Sequence, residues 1–141
     1  MQKIIYKNKL GKVVNADSCK YLQNNIETDS VDLIVTSPPF ALTREKNYGN
    51  VKSDEYCDWL KPFIKQFKRI IKPSGSIVID IGGAWNKGLP TKSIYQYKLL
   101  IMMVEELGLH LIHDYYWWNP SKLPTPAEWV TVRRIRVKDA V

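Results

Sequence analysis

Long apolar runs are absent from this sequence, and cysteine is scarce. No uninterrupted apolar stretch approaches the roughly 18 residues that suggest a membrane span, and the amino-terminal residues lack the apolar core of a signal peptide. We therefore expect a cytoplasmic protein with no membrane association. The two cysteines, Cys19 and Cys57, have no metal-binding spacing, which predicts reduced thiols and no metal site.

Acidic residues are also scarce, with 14 Asp and Glu against 21 Lys and Arg, for a formal net charge of +7. Such an excess favours a polyanionic partner, because neutralised phosphates release their counterions. A solvated basic surface explains the same charge equally well. Charge alone therefore favours a nucleic-acid partner without deciding for it.

The chain has 141 residues and 45% hydrophobic content, enough for one domain with a buried core. Strand-like and helix-like segments alternate along it. We expect strands at 12–15, 31–36, 76–81 and 109–118, helices at 18–25, 53–71 and 92–107, and a turn at 73–75. Pro62 should kink or divide the second helix, and Gly108 should close the third.

This alternation predicts an α/β fold, a mostly parallel sheet with helices on both faces. The first three predicted strands end at Asp17, Ser37 and Asp80. We expect these ends to lie side by side along one edge of the sheet. Ligands of such sheets bind beyond the carboxyl ends of the strands, so a site is predicted there.

The motif Thr36-Ser37-Pro38-Pro39-Phe40 directly follows the apolar strand 31–36. A rigid turn would explain the two prolines, but the strand end and the following aromatic residue favour a function. The exocyclic amine of cytosine or adenine is a poor nucleophile, because its lone pair is delocalised into the ring. A serine oxygen and a proline-segment carbonyl can accept its two hydrogens, and an aromatic ring can stack on a flipped base.

The same motif resembles motif IV of the amino-methyltransferases, in the serine form typical of N4-cytosine enzymes rather than the Asp-Pro-Pro-Tyr form common in N6-adenine enzymes. Nearly the whole chain resembles the β-class N4-cytosine methyltransferases of type II restriction-modification systems. The matching stretches are 15–18, 31–42, 72–76 with 82–83, and 116–124. The resemblance implies a Rossmann-like fold and S-adenosylmethionine-dependent methylation of cytosine N4 in double-stranded DNA.

The resemblance also implies individual roles at the motif and at the first strand end. Ser37 and the Pro38 carbonyl would orient the target amine, Pro39 would hold the backbone rigid, and Phe40 would stack on the base. Asp17 would contact the adenine of S-adenosylmethionine, and a plain helix N-cap explains this residue equally well.

Glycines and aromatic residues further along the chain match the rest of the base pocket. Gly82 and Gly83 would let the backbone approach the bound base, although a plain turn is an equal alternative. Trp117 and Trp118, with Tyr116, would line the pocket, although aromatic residues in a strand usually belong to the core.

Basic residues in three places are candidate DNA contacts. Arg44 and Lys46 lie in an aperiodic stretch between Pro38 and Lys52, and stretches of this length are uncommon unless functional. Further candidates follow the aromatic segment, and a solvated charge run is their alternative. These later candidates are Lys122, Arg133, Arg134 and Arg136.

The sequence contains no Gly-x-Gly pattern, whereas a Rossmann-like methyltransferase needs a glycine-rich cofactor loop. In β-class members this loop and the target recognition region follow the aromatic motif. Residues 1–141 thus resemble the amino-terminal half of a permuted catalytic domain, inactive alone. The chain is then a subunit needing a complementary polypeptide, or a piece of a longer protein. Adenine-N6 methylation and a non-catalytic DNA-binding remnant are the alternatives.

Overall fold

The computed structural model describes residues 2–42, 49–117 and 132–134. The strands are β1 (Lys3–Lys7), β2 (Lys12–Asn15), β3 (Val31–Thr36) and β4 (Ile71–Ile79), and the helices are α1 (Ser18–Asn25), α2 (Tyr56–Ile70) and α3 (Tyr95–Ile101), which continues as a π-helical segment, Met102–Glu106. The chain divides into two compact units. Unit 1 is Met1–Pro38 with Asp58–Asp80, and unit 2 is Pro39–Cys57 with Ile81–Val141.

Unit 1 begins with an antiparallel hairpin of β1 and β2, in register from Lys3 opposite Asn15 to Lys7 opposite Lys12. Asn8 forms the turn, because its Oδ1 accepts hydrogen bonds from the backbone N–H groups of Leu10 (2.8 Å) and Gly11 (2.9 Å). Side-chain acceptors of this kind are why asparagine favours turns. β1 was not predicted from the sequence, although its β-branched and aromatic residues are typical of strands.

The second sheet of unit 1 pairs β3 with β4 in parallel, in register from Leu33 opposite Ser76 to Thr36 opposite Ile79. Side chains alternate between the two faces of a strand. The face that carries Leu33, Val35 and Val78 is exposed, and these side chains retain 56%, 69% and 49% of their accessible surface. The expectation of helices packed on both faces is therefore wrong for this face in the described residues.

The predicted turn at 73–75 is part of β4. The register shifts between Val31, which pairs with Ile71, and Leu33, which pairs with Ser76, so the extra residues of β4 bulge from the ladder. Gly75 permits this bulge, because a Cβ there would lie 2.9 Å from the Asp32 carbonyl oxygen. At the same bulge, Lys72 forms an ion pair with Asp32 at 2.7 Å.

Helix α2 packs through Leu60, Ile64 and Ile70, which are buried. Pro62 lies inside this helix on its exposed side and does not divide it. At the carboxyl end of α2, the Arg69 guanidinium donates to the Leu22 carbonyl at 2.7 Å and to Thr28 Oγ1 at 3.2 Å. This side chain therefore fixes the end of α1 to the end of α2.

Unit 2 is built around two buried tyrosines, Tyr56 and Tyr95, whose rings meet edge to face with centroids 4.7 Å apart. Leu99 and Met102 extend this core along the helix. The helix starts at Tyr95 rather than at residue 92, because the preceding residues form a hairpin-like loop that pairs Trp85 with Lys92. At the other end, Gly108 has a φ of +63°, which confirms the predicted C′ glycine.

Two predictions about strands are wrong. The segment 109–117 forms no strand, and Tyr115, Tyr116 and Trp117 are more than four-fifths exposed. A strand needs a neighbouring backbone to accept and donate its hydrogen bonds, and none of the described residues pairs with this segment. β2 pairs with β1 and not with the β3–β4 sheet, so Asp17 does not end a strand of that sheet. No helix in the described residues is long and apolar enough to cross a membrane.

The buried Tyr56 hydroxyl predicts a loss of stability at high pH. Burial, with smaller effects from Tyr95 and Cys57, raises the pKa of Tyr56 above its ordinary value of 10.0. The unfolded chain loses this proton near that value while the folded chain retains it. The protonated Tyr56 hydroxyl therefore contributes its full stabilisation of the folded chain below about pH 10, and this contribution is lost as the pH rises above that value.

We expect the free energy of unfolding to fall above that pH by up to about 1.4 kcal/mol per pH unit for each buried tyrosine. The free energy of unfolding of Tyr56→Phe should fall less steeply with pH. That of Tyr97→Phe, which alters an exposed ring, should fall as in the unchanged chain. Urea titrations across this pH range measure the slopes. Equal slopes for all three proteins would contradict the assignment.

Candidate functional site

Ser37 and Asp80 meet where β3 and β4 end, within unit 1. The ladder runs to Thr36 opposite Ile79, and the Asp80 N–H continues it by donating to the Thr36 carbonyl at 2.9 Å. Ser37 Oγ then donates to Asp80 Oδ2 at 3.2 Å. Because the hydroxyl proton is directed at the carboxylate, the lone pairs of Ser37 Oγ are available to accept. The predicted adjacency of these two strand ends is confirmed.

Phe40 contacts the main chain of Gly82, within unit 2. A Cβ built on Gly82 would lie 2.6 Å from Cε2 and 2.7 Å from Cδ2 of the Phe40 ring, closer than carbon atoms approach. Glycine is therefore required for this contact. The neighbouring Gly83 differs, since its nearest neighbour would be Gln96 Nε2 at 3.8 Å.

Tyr95 contacts both the loop that follows β4 and the residues that follow the motif. Its buried hydroxyl donates to the Gly82 carbonyl oxygen, and the backbone N–H of Ala41 acts on the same hydroxyl oxygen. Burial raises the pKa of Tyr95, and the Ala41 hydrogen bond acts in the opposite direction. Asn50 also fixes the motif segment, because its Nδ2 donates to the Leu42 carbonyl at 2.7 Å.

Tyr95 and Asn50 were not predicted as site residues. Tyr95 stands in a helical apolar pattern that is typical of any core residue, and its hydroxyl contacts are set by residues more than ten positions away. Asn50 follows the aperiodic stretch, where an asparagine is typical of an ordinary turn. Only the tertiary structure distinguishes them.

Asp17 caps helix α1, because its Oδ1 accepts from the Lys20 N–H at 3.0 Å. The N-cap interpretation is thus confirmed, and the cofactor contact stays a prediction. Asp17 also borders an open depression of about 270 Å³ in unit 1. Its other lining residues are Gln2, Ala16, Lys20, Tyr21, Asn24 and Asn25.

The remaining predicted site residues are exposed or fall outside the described ranges. Trp117 is 90% exposed, and its place in a base pocket stays a prediction. Arg133 and Arg134 are exposed, as DNA contacts require. The predictions for Trp118, Arg44, Lys46, Lys122 and Arg136 lie outside the described residues. Within the described residues, no three potential ligands cluster as a metal site would need.

A serine and two prolines that end a parallel strand, followed by an aromatic ring against a glycine, are the arrangement expected of an amino-methyltransferase. Residues 31–139 match the family model N6_N4_Mtase, described as DNA methylase. The match covers more than half of the chain. The chain therefore belongs to this family of DNA methylases.

Individual relatives support the same assignment. The chain is 49% identical over 140 residues to the type II methyltransferase M.PvuII of Proteus hauseri, which covers 99% of this chain and 41% of that relative. It is 41% identical over 76 residues to M.BglII of Bacillus subtilis, covering 54% of this chain and 21% of the relative.

The solved structure of a PvuII DNA methyltransferase, described as cytosine-N4-specific, superposes with a TM-score of 0.70 and 51% identity. The superposition covers 88% of this chain and 44% of that one. The chain thus has the α/β, Rossmann-like methyltransferase fold in incomplete form. It spans less than half the length of these relatives.

The contact between Gly82 and Phe40 predicts a selective effect of alanine. Gly82→Ala should displace the ring and lower the free energy of unfolding by about 1–3 kcal/mol, as overpacking does elsewhere. Gly83→Ala is the matched control, because its Cβ would meet nothing closer than 3.8 Å. Denaturant titration compares them, and equal stability of the two variants would contradict the contact.

Proposed function

We propose that this chain supplies the target-base pocket of an S-adenosylmethionine-dependent DNA methyltransferase that methylates cytosine N4, as part of a restriction-modification system. The observation that carries the proposal is the Ser37–Asp80 hydrogen bond at the paired ends of β3 and β4. The similarity to a cytosine-N4-specific methyltransferase supports the choice of base.

The target amine must lose its conjugation with the ring before it can attack a methyl group. Ser37 Oγ accepts one amine hydrogen while its own hydroxyl proton remains hydrogen-bonded to Asp80 Oδ2, and the Pro38 carbonyl accepts the other. Both acceptors are fixed before the base arrives, so little reorganisation accompanies the reaction. Pro38 and Pro39 contribute by restricting the backbone dihedral angles on which the carbonyl direction depends.

S-adenosylmethionine supplies the methyl group when it is bound. The described residues fit only part of this cofactor: Asp17, in its open depression, would hold the adenine end. The sequence lacks a Gly-x-Gly loop, so the chain acts as a partial catalytic domain. The isolated chain should therefore have no activity.

The cofactor loop and the recognition region lie outside these 141 residues, in a continuation of the same protein or in a complementary polypeptide, and cover the exposed face of the β3–β4 sheet. The sheets of α/β proteins are covered on both faces, yet Leu33, Val35 and Val78 are exposed here. The chain also spans only 41% of M.PvuII. We therefore expect this apolar face to be covered by the residues that complete the fold.

Double-stranded DNA is the substrate, consistent with the net charge of +7. Arg133 and Arg134 are exposed and able to contact phosphates, which position a duplex without reading its sequence. The remaining candidate contacts, Arg44, Lys46, Lys122 and Arg136, are proposed on charge alone.

Removal of the Ser37 hydroxyl tests the proposed chemistry. With the complementary polypeptide, DNA and labelled S-adenosylmethionine, Ser37→Ala should lower the rate of label transfer by about 100-fold or more, because a preorganised acceptor is lost. Ser74→Ala alters another exposed serine, in the bulge of β4, and should keep the unchanged rate. Equal rates for Ser37→Ala and the unchanged chain would refute the proposed role of the serine.

A charge on the exposed sheet face tests the proposed assembly. Val35→Lys should weaken binding of the complementary polypeptide by about tenfold or more, because a charged group would have to be desolvated. Val13→Lys places the same charge at a similarly exposed valine of the β1–β2 hairpin and should bind normally. Isothermal titration compares the dissociation constants, and equal weakening by both variants would argue against this face.

A further inference from the structure

We propose that Tyr95 is a positioning residue of the target-base pocket, whose hydroxyl sets the place of the Phe40 ring by tying the Phe40–Ala41 segment to Gly82 in the loop after β4. The inference rests on the proposed function, because it concerns the same pocket. It adds a residue from helix α3 that belongs to no recognised motif of the sequence.

The first observation is that one hydroxyl joins two separate segments. Tyr95 donates to the Gly82 carbonyl, and the backbone N–H of Ala41 acts on the same oxygen and lowers its pKa. These groups belong to the loops after β4 and β3. A phenol has one proton and two lone pairs, so it can serve a carbonyl and an amide together, which no apolar side chain can do.

The second observation is the position of the two tethered groups. Gly82 is the residue against which the Phe40 ring lies, and Ala41 is the next residue after Phe40. The backbone on each side of the ring contact is therefore held by the same oxygen. A shift of either segment would change the plane against which a flipped base must stack.

The Tyr95 side chain is itself held rigidly. The Tyr95 side chain is 1% exposed, and its ring packs edge to face on Tyr56 at 4.7 Å. Ser93 Oγ also accepts from the Tyr95 backbone N–H at 3.3 Å, at the start of α3. A hydroxyl on such a fixed ring can define a position rather than follow one.

The Tyr95→Phe variant tests the inference, since it keeps the ring and removes only the hydroxyl. Hydrogen exchange followed by NMR in the isolated chain reports on the tether. The Ala41 amide should exchange at least about tenfold faster in the variant, because its acceptor is gone. Tyr97→Phe, on the exposed side of α3, should leave Ala41 exchange unchanged.

Steady-state kinetics with the complementary polypeptide, DNA and S-adenosylmethionine report on positioning. Tyr95→Phe should lower kcat about tenfold and leave the KM for S-adenosylmethionine unchanged, since the pocket and not the cofactor site is disturbed. A merely structural role would instead lower the fraction of folded protein and leave kcat per folded molecule unchanged.

The outcomes separate this inference from the proposed function. Unchanged Ala41 exchange, or unchanged kcat with an active parent protein, overturns the role of Tyr95 while the methyltransferase proposal stands. An inactive parent protein overturns the proposed function and, with it, the pocket role of Tyr95. The exchange experiment then still decides whether the tether exists.

Discussion

The parallel pairing of β3 and β4 continues to their last residues, Thr36 and Ile79, and one hydrogen bond further, from the Asp80 N–H to the Thr36 carbonyl. This register places Ser37 next to Asp80, and the hydroxyl proton of Ser37 then engages the carboxylate. A shift of one residue would turn these side chains to opposite faces of the sheet. The Ser37–Asp80 hydrogen bond therefore depends on the ladder, whose bulge leaves no room for a side chain at Gly75.

Unit 2 contributes a second constraint, close approach between an aromatic ring and a backbone. Gly82 has no Cβ, so Phe40 lies against its main chain, and Tyr95 binds the carbonyl of the same glycine. This contact joins two of the predicted site residues, Gly82 and Phe40, whose roles in binding a base stay predictions. Conformational freedom of the glycine backbone is not needed for this contact, because the requirement is space.

The sequence predicted the features that local patterns determine. The strand 31–36, the helix α2, the Gly108 cap and the Ser37–Asp80 adjacency follow from periodicity, cap chemistry and the order of strands and helices. The pairing of β2 and the state of 109–117 could not be predicted this way, because they depend on which backbone lies alongside. For the same reason, Tyr95 and Asn50 could not be predicted as site residues, because their contacts form only when distant segments meet.

The exposed face of the β3–β4 sheet, the missing glycine loop and the 41% coverage of M.PvuII all agree with a partial catalytic domain. We propose that its base pocket acts on cytosine N4. The most direct test digests DNA treated with this chain, the complementary polypeptide and labelled S-adenosylmethionine, and identifies the labelled nucleoside by mass spectrometry. We expect the label in N4-methylcytosine. Label in N6-methyladenine, or no label in the DNA, would contradict it.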